Sequence, residues 1–177
     1  MPLPAVLREL AHCAEPEILV RLLDNPRCPP DAVSLIIGRG VHTPGLFDQP
    51  AHPGLNRGMP LSLAEQAADH RNLDPAGMRK LARWSVRRPD ALAGSPENRI
   101  QVRLARRADL DEWAALLLAR RGHHFCRALL AEDGHTPPAV LAVLLRDLST
   151  EVAVAAAGNP SLSRSVLAMW QLAHDTT

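Results

Sequence analysis

The chain has no tyrosine and only two Phe and three Trp in 177 residues. Its apolar content comes from Leu, Ala and Val, which suit closely packed helices better than an aromatic-rich sheet and set an all-α expectation. Cysteine is equally scarce. Cys13, Cys28 and Cys126 are far apart and form no CxxC pair. That argues against a disulfide framework and against a zinc or iron–sulfur site made of cysteine alone, and it fits a reducing, cytoplasmic setting. No apolar run approaches the roughly 18 residues of a membrane span. The opening MPLPAVLRELAHCAEPE carries Glu9, Glu15 and Glu17 in place of the apolar stretch of a secretory leader. Lysine is nearly missing: Lys80 is the one lysine among the 20 basic residues. Arginine dominance reads as bidentate recognition of anions or, more blandly, as coding bias.

With 46% apolar and 22% charged residues, the composition is that of a globular chain. The length is that of one domain, expected over 1–177. Net charge is +1 but unevenly spread. Residues 1–78 hold six Arg against nine acids, residues 79–127 hold twelve basic residues against five acids, and residues 128–177 hold two Arg against five acids. A basic middle of +7 thus lies between two ends of −3 each.

An internal periodicity runs through the chain. An apolar helical run, a polar corner, an apolar residue three positions on and then a cap or proline opening a second helix recur at Asn25, His70, Arg107, Asp133 and Asn159. The last two intervals are 26 residues each, and the earlier ones, 45 and 37, contain insertions. Three after each corner stand Cys28, Leu73, Leu110, Thr136 and Leu162, a small or apolar plug. Four after stand Pro29, Asp74, Asp111, Pro137 and Ser163, three of them good N-caps. Five after stand Pro30, Pro75, Glu112, Pro138 and Arg164, the expected first helical residues, where proline is favoured. Ile18, Leu63, Ile100, Cys126 and Val152, seven before the corners, and Leu22, Ala67, Leu104, Leu130 and Ala156, three before, complete one apolar face. A helix–corner–helix unit of this kind cannot bury its apolar face alone, so the expected architecture is a short α-solenoid of about five stacked repeats.

The Asn-Pro corner, the polar or proline cap and the apolar helix that follows resemble the bacterial leucine-rich repeat variant, a short HEAT-like α-solenoid repeat. The best matches are LSTEVAVAAAGNPSLSRSVLAMW at 148–170 and LVRLLDNPRCPPDAVSLI at 19–36. One described type in that family carries a cysteine-rich iron–sulfur module. This chain has no such cysteine cluster, so the resemblance implies the fold without that cofactor.

Two insertions interrupt the repeats. GRGVHTPGLFDQPAHPGLNRGMP, at about 38–60, is too rich in Gly and Pro for a helix and reads as a surface excursion, with Leu46 and Phe47 as candidate partner anchors. VRRPDALAGSPENR, at 86–99, reads as a polar linker. No P-loop, GxSxG, GxGxxG or HExxH occurs. His123, His124 and His135 lie near Cys126 in sequence, but at no common metal-ligand spacing. Asp109, Asp111 and Glu112 sit where a helix starts, a place that favours acids for structural reasons. The reading is therefore of no catalytic residues, no metal, no cofactor and no enzyme. The expected function is a non-catalytic scaffold whose Arg79, Arg83, Arg87, Arg103, Arg106, Arg107, Arg120 and Arg121 engage an acidic protein segment or another anionic partner. The alternative is a HEAT-like DNA-binding protein of the alkylpurine DNA glycosylase type, using Trp84 and Trp113 beside Asp109, Asp111 and Glu112. The pI of about 7.9 is low for a dedicated nucleic-acid domain.

Overall fold

The computed structural model describes residues 3–13, 15–43, 45–47, 62–87 and 95–174. Among them are eleven helices and no strand: α1 (Leu3–Cys13), α2 (Pro16–Asp24), α3 (Pro30–His42), α4 (Leu63–Asp69), α5 (Pro75–Ser85), α6 (Pro96–Ala105), α7 (Glu112–Arg121), α8 (His124–Glu132), α9 (Pro138–Leu144), α10 (Thr150–Ala157) and α11 (Arg164–His174). None of these helices is long and apolar enough to cross a membrane.

Cap chemistry sets the helix starts. Pro30, Pro75, Glu112, Pro138 and Arg164 open α3, α5, α7, α9 and α11, as their place five residues after each corner predicts. Asp74 accepts from the Gly77 N–H at 2.6 Å and Asp111 from the Ala114 N–H at 3.0 Å, each satisfying a backbone donor that the first helical turn leaves open. Ser62 and Glu65 form a reciprocal capping box on α4.

Neighbouring helices pack in two rows. In one row α1, α3, α5, α7 and α9 each pack on the next; in the other α2, α4, α6, α8 and α10 do the same, and the rows pack on each other. The core runs between them as one cluster that includes Leu19, Ile36, Leu63, Leu81, Leu104, Leu118, Leu130, Leu141 and Val152. Of the column expected seven residues before the corners, Leu63, Ile100, Cys126 and Val152 are buried but Ile18 is 40% exposed, because α2 turns Leu19 and Val20 inward in its place.

The five corners share their hydrogen bonds. In each, the N–H three residues on donates to the corner carbonyl: Cys28 to Asn25, Leu73 to His70, Leu110 to Arg107, Thr136 to Asp133 and Leu162 to Asn159. At four corners the side chain also accepts the N–H two residues on, from Arg27, Asn72, His135 and Ser161. Three corner side chains then reach back to the corner before. His70 Nε2 donates to the Asn25 carbonyl at 3.3 Å. Arg107 donates to the carbonyls of His70 (3.1 Å) and Ala68 (2.9 Å), and Asn159 to those of Asp133 (2.9 Å) and Ala131 (2.8 Å). In both cases the acceptors are the preceding corner residue and the residue two before it, so the end of one helix is satisfied by the next unit. Asp133, whose carboxylate has no proton to donate, makes no such link.

His70 must accept from the Asn72 N–H at Nδ1, which places its ring proton on Nε2. Burial, reinforced by the Arg71 and Arg107 charges and opposed by the Asn25 bond, holds its pKa below the usual histidine value and favours the neutral ring.

Two expectations about the insertions need correction. Gly38–His42 are helical, the last turns of α3. A Cβ on Gly40 would lie 1.9 Å from the Phe47 ring, so this glycine lets the chain fold back against the helix instead of ending it. Pro96–Arg99 form the first turn of α6, capped by Ser95, and are not linker. Within the two insertions, residues 44, 48–60 and 88–94 lie outside the described residues.

Candidate anion-binding surface

The expected basic surface divides into two groups. In the first group each guanidinium is engaged within the molecule. Arg79 of α5 makes a bidentate pair with Asp111 at the start of α7, at 2.8 and 2.9 Å. These hydrogen bonds outweigh the opposing effect of burial and hold the Asp111 carboxyl below the usual range. Arg103 of α6 pairs with Asp69 and lies 3.5 Å from Glu65 of α4. Glu65, 1% exposed, also receives Arg99 at 2.8 and 3.3 Å. Burial pushes the Glu65 carboxyl up, but the Arg99 and Ser62 hydrogen bonds and the Arg99 charge together bring it below its ordinary value. Arg107 adds a bidentate pair to Asp109, at 2.8 and 2.9 Å, to its two corner carbonyls. Arg83 sits 4.6 Å over the Trp113 ring, a cation–π contact between α5 and α7. Arg127, outside the expected set, pairs with Asp147 at 2.6 and 3.1 Å. Glu65 and Asp69 belong to the acidic N-terminal segment and Asp147 to the acidic C-terminal one, so the uneven charge along the chain is partly complementary across helix contacts.

The second group is Arg87, Arg106, Arg120 and Arg121. All four are exposed and make no ion pair among the described residues. Arg120 and Arg121 end α7, where cations complement the helix dipole. With Arg87, just past α5, they line a hollow of about 690 Å³ at the start of α8, together with His123 and His124. Arg106, the C-cap of α6, lines a smaller slot of about 280 Å³ beside Val102, Phe125 and the same His123. The two hollows thus meet at His123.

The α7–α8 junction is fixed from below. A Cβ on Gly122 would lie 2.4 Å from the Leu118 carbonyl oxygen, so the turn passes too close to α7 for a side chain. Gln101, buried on α6, accepts from the His123 N–H at 2.7 Å and donates to the Ser85 carbonyl at 2.8 Å, tying the end of α5 to the start of α8. His123 then caps α8. Its ring lies 5.4 Å from that of Phe125, and the His124 ring lies 5.7 Å from it on tilted planes. Phe125 is 59% exposed, an open aromatic face bordered by imidazoles and arginines. Sequence reading missed Phe125. The available signal was a large aromatic placed directly beside His-His in the first turn of a helix.

Leu46 and Phe47 are not surface anchors. Phe47 is 2% exposed, packs on Gly40 and meets the Trp84 ring edge-on at 5.0 Å, and Leu46 is buried with it. The reactive side chains also disperse. Cys126 is fully buried with its thiol pushed up to about 12 by desolvation, so it stays protonated. His135 stands at the opposite end of α8 from His123 and contacts Asp133 at 3.1 Å. Among the described residues no three His, Cys, Asp or Glu side chains are grouped to hold a metal ion. No protein-family model, no curated protein and no solved structure matches the chain.

Proposed function

We propose that this chain is a non-catalytic binding scaffold: a single, cytoplasmic α-solenoid domain of about five HEAT-like repeats of the leucine-rich repeat variant type, which engages an acidic protein segment or another anionic partner. The two-row packing and the shared corner hydrogen bonds support the stacked-repeat reading. One observation carries the function. Of the eight arginines expected on the surface, the four without an internal partner gather around two hollows that share His123. Exposed, unpaired guanidinium groups in a concave setting raise the local concentration of anions and select partners by charge.

The base-repair alternative receives less support. Trp84 packs against Phe47, Asp109 is held by Arg107, and Asp111 both caps α7 and binds Arg79, so these groups already have structural work. A fluorescein-labelled poly-glutamate peptide titrated at low salt tests the proposal by anisotropy. Binding is expected, and Arg120→Glu with Arg121→Glu should abolish it while Arg79→Ala leaves it within about twofold. Absence of binding, or salt-dependent binding of duplex DNA that exceeds it, would overturn the scaffold reading.

A further inference from the structure

Resting on that reading, we infer that the acidic partner is a peptide with one large apolar side chain next to its carboxylates, the apolar residue entering the slot against Phe125 and the carboxylates entering the hollow of Arg87, Arg120 and Arg121.

The slot and the hollow differ in chemistry. The slot is lined by Val102, Phe125, His123, Asn98 and three arginines, of which Arg99 and Arg103 have their guanidiniums engaged by Glu65 and Asp69. With those two charges already matched, Val102 and Phe125 supply the slot's apolar contact and Arg106 is its arginine without an internal partner. The hollow beside it is lined by three unpaired arginines, His123, and two groups with acidic neighbours, Arg127 paired with Asp147 and His124 at 3.5 Å from Glu151. A ligand spanning both, which share His123, needs an apolar group adjacent to anionic groups, as neighbouring side chains of one peptide segment provide. At about 280 Å³ the slot falls just under the size usual for a drug-like ligand and suits a single side chain.

A nucleic-acid strand fits this arrangement less well. Single strands bind along successive aromatic platforms, one base on each. Here Phe125 is the exposed phenyl ring beside the hollows; Phe47 and Trp84 pack edge-on against each other, and Trp113, 37% exposed, carries Arg83 over its ring. A buried aromatic anchor ringed by charge complementarity is instead the usual source of affinity in a peptide interface.

Three labelled probes decide the matter by anisotropy on the full chain: a glutamate-rich peptide with a central Leu, the same peptide with Ala at that position, and an oligothymidylate. The Leu peptide should bind about tenfold tighter than the Ala peptide. Phe125→Ala should remove that difference while leaving the Ala peptide unchanged, and Phe125→Trp should keep it. Phe125 is largely exposed, so its variants should fold, and a circular dichroism melt checks this. If both peptides bind equally and Phe125→Ala changes neither, the anchored-peptide inference fails and the anionic-partner reading stands. If neither peptide binds, both fail. Tighter binding of oligothymidylate that is lost in Phe125→Ala would also overturn the inference, in favour of base stacking.

Discussion

At the Arg107 corner, one guanidinium closes the end of α4 through the Ala68 and His70 carbonyls and neutralises Asp109. At the other end of α7, Arg120 and Arg121 line a hollow and make no ion pair among the described residues, while Arg127 on the same hollow is held by Asp147. Both regions are arginine-rich, and composition cannot tell them apart. The difference lies in the neighbouring unit. Where an arginine meets an acid or a helix-end carbonyl, as Arg107 does and as Arg127 does at Asp147 and Gly122, it is held within the molecule; Arg120 and Arg121 meet neither. The arginines proposed to meet a partner are therefore those left after the internally engaged ones are subtracted.

Variants can break this contrast from the corner side first. Asn159→Asp removes the two donors that satisfy Ala131 and Asp133 and sets a carboxylate against their carbonyl oxygens; a loss of about 3–4 kcal/mol in urea unfolding is expected. Asn159→Ala leaves the same carbonyls unpaired without the repulsion, and about 2 kcal/mol should be lost. Retention of full stability by either variant would show that the corner links are incidental.

His70 adds a pH test of the same edge. Its folded pKa is depressed, so the stability it contributes is present above the ordinary histidine pKa of about 6.5 and is lost as pH falls through that value toward the lower folded one. Protonation at Nδ1 would also remove the acceptor for the Asn72 N–H. His70→Asn, which puts at this corner the residue found at Asn25 and Asn159, should flatten the fall in melting temperature between about pH 7.5 and pH 5.5. An unchanged slope would mean that another group governs it.

On the other edge, Arg120→Glu with Arg121→Glu should cost about 1–2 kcal/mol at most, the dipole interaction at the end of α7, because neither side chain has an internal partner to lose. Acidic-peptide binding should disappear in the same variant.

Much of this fold was legible in the sequence because its determinants are local. A cap, a proline at the first helical position and an apolar plug three residues after each corner act within one turn of chain, and all five second helices start where those columns place them. The misses follow from distance. Gly38 and Gly40 read as loop because helix propensity penalises glycine, yet the packing of Phe47 onto α3 requires the missing side chain at Gly40. The arginines could not be sorted because their acids lie far along the chain, Asp111 for Arg79, Asp69 for Arg103 and Asp147 for Arg127. Phe125 was passed over because an aromatic residue in a helix is by default core, and only its placement in the first turn of α8, away from the buried Cys126 and Leu130 face, exposes it.

The most direct test of the division into structural and available arginines is a side-by-side urea unfolding of Arg107→Ala and of the Arg120→Ala, Arg121→Ala double variant in one buffer. The account predicts a loss of about 3 kcal/mol for the first, which forfeits charge-assisted bonds to two helix-end carbonyls, and a loss of no more than about 1 kcal/mol for the second, which forfeits only the dipole interaction at the end of α7. Equal losses in the two variants, or a greater loss in the second, would contradict it.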